Sequence, residues 1–157
     1  MPDYVFLAIK NGDIKLVLKW INANRTEDRV NAVTSAEYRM GLSALQSAAM
    51  SSRSTLMTLL LQLGADIDHR NIHGYTAMSI VLGSPVASTE DVNKLVRLLL
   101  TWGAGFFSDS NCSKKDCSGI ARENNRHEIA DLLESELGGR RCEIVNLTSR
   151  PGINGKT

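Results

Sequence analysis

The chain carries no excess of either charge. Its 18 Lys and Arg stand against 17 Asp and Glu, a formal net charge of +1. That argues against a dedicated nucleic-acid binder, which shows a basic excess on one face. Long hydrophobic runs are absent too. The longest leucine runs are Leu59–Leu61 and Leu98–Leu100, far short of the ~18 apolar residues of a membrane span. The opening MPDYVFLAIKNGD has no basic n-region and no cleavage site, so no secretory signal is expected. Cysteines number three, at irregular spacing. An odd count of this kind suits a reducing compartment, and a cytoplasmic or nuclear location is expected. Without a leader, the glycosylation sequons at Asn24, Asn111 and Asn146 read as chance. Three histidines leave few general bases, and no Ser, Cys or Thr has a recognisable base and orienting acid around it. What remains is ordinary. An apolar content of 43% and a charged content of 22% over 157 residues support one folded domain with a core and exclude a disordered chain.

The informative feature is an internal repeat. GLSALQSAAMSSRSTLMTLLLQLGADIDHRN starts at Gly41, and GYTAMSIVLG…EDVNKLVRLLLTWGAG starts 33 residues later at Gly74. Each copy opens with Gly, any residue, then a hydroxyl residue, Ser43 or Thr76. A short helix of small and apolar residues follows. Each closes on a Leu-rich helix ending in Gly64-Ala65 or Gly103-Ala104, and the second copy carries an extra GSPVAS between its helices. Leu56, Met57, Leu59, Leu60, Leu61 and Leu63 cover more than one face of the first Leu-rich helix. An ordinary surface helix needs one apolar stripe, so a helix apolar on two sides must have neighbours on two sides, as in a stack. Gly64 and Gly103 stand where a helix end takes a left-handed residue, and Asn24 stands at the matching point after DIKLVLKWINA. Second helices are predicted at about 13–23, 54–63, 90–102 and 127–137.

This pattern resembles the ankyrin repeat. Ser43-Ala44-Leu45-Gln46-Ser47-Ala48-Ala49 is similar to that family's Thr-Pro-Leu-His-x-Ala-Ala, with Gln46 for His. Thr76-Ala77-Met78-Ser79 follows the same frame with Ser79 for His, and Gly64-Ala65-Asp66-Ile67-Asp68 resembles Gly-Ala-Asp-Val-Asn. Ala8 to Ile21 resembles the second half of a first repeat, with Asn11-Gly12-Asp13 as its turn, and Asp116 to Leu133 resembles a final repeat. The resemblance implies an all-α stack of four helix-turn-helix units with hairpin-like connecting turns. It divides the chain into a domain over 1–137, with repeats at 1–31, 38–70, 71–108 and 111–137, and a basic tail over 138–157. The last repeat departs from the pattern: Ser118 stands where a buried Leu is expected, and Gly119 where His is expected. Both substitutions weaken a unit, so this one is expected to open first. Ile129, Ala130, Leu132 and Leu133 are expected to face inward and Glu128, Asp131, Glu134 and Glu136 outward, as a terminal unit requires.

Ankyrin-like proteins bind other proteins on a concave face built from turn tips and first helices. Carried over residue by residue, the resemblance implies contact positions Arg39, Met40, Leu42, Met50 and Ser51 around the second repeat. Ile72, His73, Tyr75, Gly83 and Ser84 follow around the third, and Cys112, Ser113, Lys115, Glu123 and Asn124 around the fourth. The partner-binding set expected from these is Arg39, Met40, Leu42, Met50, Ile72, His73, Tyr75, Lys115 and Glu123. Met40, Leu42, Met50, Ile72 and Tyr75 would form an exposed apolar patch, which marks an interface. The alternative is that the segment Ala32–Met40 folds over and covers them. The expected function is a non-catalytic adaptor, scaffold or inhibitor, monomeric and without cofactor or metal, that binds an unidentified protein. A second possibility is a targeting subunit that docks through the basic tail, and a third is a metal-binding protein or enzyme. Cys112, Cys117, His127 and Cys142 have no paired metal-site spacing, and His69 and His73 fall in a turn. Cys117 is expected to be a buried thiol. Gly155-Lys156-Thr157 lacks the glycine that a phosphate loop needs at Arg150.

Overall fold

Helix formation in this chain is set by its caps. Ser43, Thr76 and Ser113 each accept a hydrogen bond from the backbone N–H three residues on, and Gln46, Ser79 and Asp116 return the bond to the cap's own N–H. Such capping boxes satisfy two orphan donors at once. Asp13 and Ser88 cap further helices through the N–H groups of Leu16 and Asp91. The computed structural model describes residues 1–24, 26–35, 40–107 and 113–135. Among these residues the helices are α1 (Asp3–Asn11), α2 (Ile14–Asn22), α3 (Ala44–Met50), α4 (Ser54–Gln62), α5 (Ala77–Leu82), α6 (Thr89–Thr101), α7 (Lys114–Glu123) and α8 (His127–Glu134). The fold is all-α. The described β pairing is limited to isolated bridges, such as the antiparallel one between Val33 and Ser43. No described helix is long and apolar enough to cross a membrane.

The helices form four pairs. In each pair the two helices pack on one another, α1 packs on α3, α3 on α5 and α5 on α7, and α4 packs on α6. Polar links show that the first helices run parallel. At their N-terminal ends the Gln46 amide donates to the carbonyls of His69 (2.9 Å) and Tyr75 (2.7 Å). At their C-terminal ends Arg53 donates to Lys10 O (2.9 Å) and Arg126 to Leu82 O (2.6 Å).

Left-handed residues punctuate the chain as the 33-residue register predicts. Gly41 (φ 64°) and Gly74 (φ 78°) both lie two residues ahead of a capping residue. Gly64 (φ 91°) and Gly103 (φ 82°) end α4 and α6, and the next N–H in each case bonds back to Leu60 or Leu99. Within three of the pairs the turn is made by Gly12, Ser52 or Asn125, all at positive φ. The α5–α6 turn differs: Gly83 has φ −82°, and the Gly83–Ser88 insert makes the connection. Asn24 also departs from expectation. It is not left-handed; its side-chain oxygen instead accepts from the N–H and hydroxyl of Thr26, at 3.0 and 2.7 Å. That Asx turn supplies the change of direction that a left-handed residue makes elsewhere.

Leu56, Met57, Leu60 and Leu61 of α4 are buried, while Leu59 is half-buried and Leu63, beyond the helix, is exposed. In the last pair Cys117 is a fully buried free thiol. Ser118 is buried and satisfied by donating to Lys115 O at 3.0 Å. Nothing would lie within 4 Å of a Cβ at Gly119. Ile129, Ala130 and Leu133 are buried as expected, whereas Leu132 is half-exposed. Glu128, Asp131 and Glu134 face solvent, and Glu136 lies outside the described residues. Arg122 joins α7 to α8 by ion pairs to Asp131 (3.1 Å) and Glu134 (2.8 Å).

Candidate partner-binding surface

The turns ahead of α3 and α5 build the surface. Asn71 shapes the second turn: its side-chain oxygen accepts from the N–H groups of His73 and Tyr75, both at 3.0 Å, and its own N–H bonds to Tyr75 O. The turn ahead of α3 is tied to this one directly. Ile72 N–H donates to Met40 O at 3.1 Å, and the His69 ring lies 3.2 Å from Gly41 O. A Cβ on Gly41 would come within 3.2 Å of the Ile72 side chain. Met40, Ile72, His73 and Tyr75 therefore share one rim. Ile72 is 69% exposed, Tyr75 is exposed and contacts the His73 ring at 6.4 Å between centroids, and Met40 is half-buried.

Two members of the expected patch lie elsewhere. Leu42 is only 2% exposed. Thr34 is tied to its backbone: the Thr34 hydroxyl accepts from Leu42 N–H and Thr34 N–H donates to Leu42 O, each at 2.9 Å. Leu42 is thus held inward beside Thr34, while Ile72 and Tyr75 stay exposed. Met50 is exposed, but it ends α3, whereas the turn tips precede α3 and α5. A seven-residue helix rises about 10 Å, so Met50 sits on the opposite rim. Ser84, also expected at the surface, is buried. Lys115 and Glu123 are exposed at opposite ends of α7, with Ser113 and Asn124 as its caps. Ser51 is half-buried and Gly83 exposed. Arg39, Cys112 and the tail 138–157 lie outside the described residues.

Several stabilising residues carry no local sequence signal. Arg126 is 5% exposed and donates to three backbone carbonyls of the preceding pair: Leu82 (2.6 Å), Ser84 (2.6 Å) and Ala87 (3.2 Å). The last two bracket Pro85 and Val86, so the insert is pinned on both sides while Val86 stands 88% exposed at its tip. On the rim of turns, Asn31 accepts from Asp66 N–H (2.7 Å) and Asp68 from Gly105 N–H (2.8 Å), the same link made in successive units. Among the described residues no group of three His, Cys, Asp or Glu side chains is placed to hold a metal ion.

Comparison with protein-family models finds no match to this chain. A search of curated proteins likewise finds no match.

Proposed function

We propose that this chain is an ankyrin-type repeat protein whose task is to bind another protein through the rim of turns ahead of α3 and α5. The observation that carries the reading is the exposure of Ile72 and Tyr75 beside Met40 on two turns that are hydrogen-bonded to each other. Leaving large apolar side chains in water forgoes about 1.5–3 kcal/mol each, and a partner would recover part of it. The ankyrin-type assignment draws support from the equivalent placement of Gly41 and Gly74, from the capping boxes at Ser43 and Thr76, and from left-handed Gly64 and Gly103. The role is non-catalytic, that of an adaptor, scaffold or inhibitor, with a monomeric chain acting in the cytoplasm or nucleus.

The test is parallel affinity capture with the full chain and its variants as bait. Tyr75→Ala with Ile72→Ala is expected to weaken recovery of the partner about tenfold, or about 1.4 kcal/mol, while melting temperature and helicity stay unchanged. Met50→Ala, on the opposite rim, should capture as the parent does. Deletion of the residues after Gly139 is the second control. If that deletion abolishes capture and the double variant does not, binding runs through the basic tail and the proposal fails.

A further inference from the structure

A groove of about 330 Å³ lies between α1 and α2, lined by Tyr4, Leu16, Lys19, Trp20, Ala23 and Arg29. Leu16, Trp20 and Ala23 fall on one stripe of α2 and its end, at spacings of four and three. The Arg29 guanidinium lies over the Trp20 ring, 5.3 Å from its centroid, and donates to Trp20 O at 2.9 Å. The indole is thereby fixed as a wall. Lys19 is the unpaired cation among the lining residues. Glu27 pairs with Arg29 at 3.0 Å, and no acid is among the lining residues. Lys19, and Lys15 one turn before it, are exposed and form no ion pair with a described residue.

The position of the groove matters as much as its chemistry. It lies on the first pair, at one end of the row. The last pair turns Glu128, Asp131 and Glu134 to solvent, as an end with nothing stacked beyond it requires. The first pair instead exposes Tyr4 and Leu7, three residues apart on one face of α1. An apolar floor beside unpaired cations selects an occupant by charge as well as by shape.

We propose that the α1–α2 groove is a second docking site, for an acidic segment of a partner protein that carries an apolar side chain. The apolar side chain lies on Leu16, Trp20 and Ala23 next to Tyr4, and a neighbouring carboxylate meets Lys19. The site is separate from the turn rim and does not depend on its role.

Trp20 itself reports on occupancy. The chain has two tryptophans, so Trp102→Phe in the full chain leaves Trp20 as the one indole. The probes are the capped peptides Ac-Glu-Leu-Glu-Phe-NH2 and Ac-Lys-Leu-Lys-Phe-NH2. The acidic peptide is expected to change Trp20 emission saturably at millimolar concentration or below, and at least tenfold more tightly than the lysine peptide. Lys19→Glu, an exposed substitution, should reverse that preference with melting temperature unchanged. Equal affinity for both peptides, no saturable change, or binding indifferent to Lys19→Glu each overturns the proposal. Two further results would do so. One is a dimer in sedimentation that Leu7→Glu dissolves, which makes a second copy the occupant. The other is acidic-peptide binding that appears only after deletion of 138–157, which makes the tail the occupant.

Discussion

Replacing Arg126 by Met keeps most of its aliphatic length and removes every donor. Three carbonyls then lose their partner in a site that is 95% shielded, since Arg126 is 5% exposed. A hydrogen bond from a charged donor contributes about 1.5–3 kcal/mol net, and an unsatisfied buried acceptor costs about 1–3 kcal/mol. The two bonds at 2.6 Å dominate. Part of the loss is offset because the Met side chain needs no desolvation of charge and the insert can open to water. The net expectation is a destabilisation of about 3 kcal/mol, close to that of breaking a buried ionic network. Arg126→Lys should recover less than half, because one ammonium cannot span carbonyls on both sides of Pro85-Val86. The assay is urea unfolding followed by circular dichroism. A second reading comes from salt. The acceptors are carbonyl dipoles in a buried site rather than surface carboxylates, so the deficit should stay the same between low and high ionic strength. A loss below about 0.5 kcal/mol, the scale of an ordinary surface substitution, would refute the reasoning. So would a deficit that salt erases.

Gly119→Ala should stabilise the last pair by up to about 1 kcal/mol, because the helix gains a better former and the new Cβ meets no atom within 4 Å. Slower amide exchange at Ile129–Leu133 checks it, and unchanged exchange counts against it. The Arg122 guanidinium holds the Glu134 carboxyl below its ordinary range, chiefly by its hydrogen bond. A group whose folded pKa is depressed contributes stability that is present above its unfolded pKa, about 4.3 for Glu, and that is lost as pH falls through the lower folded value. Glu134→Gln should therefore flatten the melting-temperature profile across that acid window, meeting the parent at the acid end and lying slightly below it above the window. A profile that keeps its shape rules this out.

The helix ends were legible because their signals are local. Ser43 with Gln46, Thr76 with Ser79, and the glycines at 64 and 103 act within a few residues of themselves, and period alone placed α4 and α6. What the sequence hid lies across pairs. Nothing near Arg126 says that its side chain turns back more than 35 residues to the insert. The ankyrin resemblance implied Met50 as a contact position but not which rim it occupies, since that depends on the parallel alignment of α3 and α5. The resemblance implied Leu42 as an exposed contact position, and its hydrogen-bonding partner Thr34 belongs to a connection with no repeat signal. Asn24 shows the same limit from the other side: residue type allowed a left-handed turn, and its own side chain formed a different one.

The link from Arg126 to the insert has a consequence for how the chain matures on the ribosome. Arg126 belongs to the pair that directly follows the insert, just as Arg53 of the second pair reaches back to Lys10 of the first. The Ala87 carbonyl waits for a donor 39 residues downstream. At about 5–20 residues per second of synthesis, that interval is about 2–8 seconds. During it, α5 and α6 can already pack while the carbonyls of the insert between them remain hydrated. Emergence of Arg126, at the start of α8, ends that window, and the pair that follows the insert decides when the insert becomes rigid.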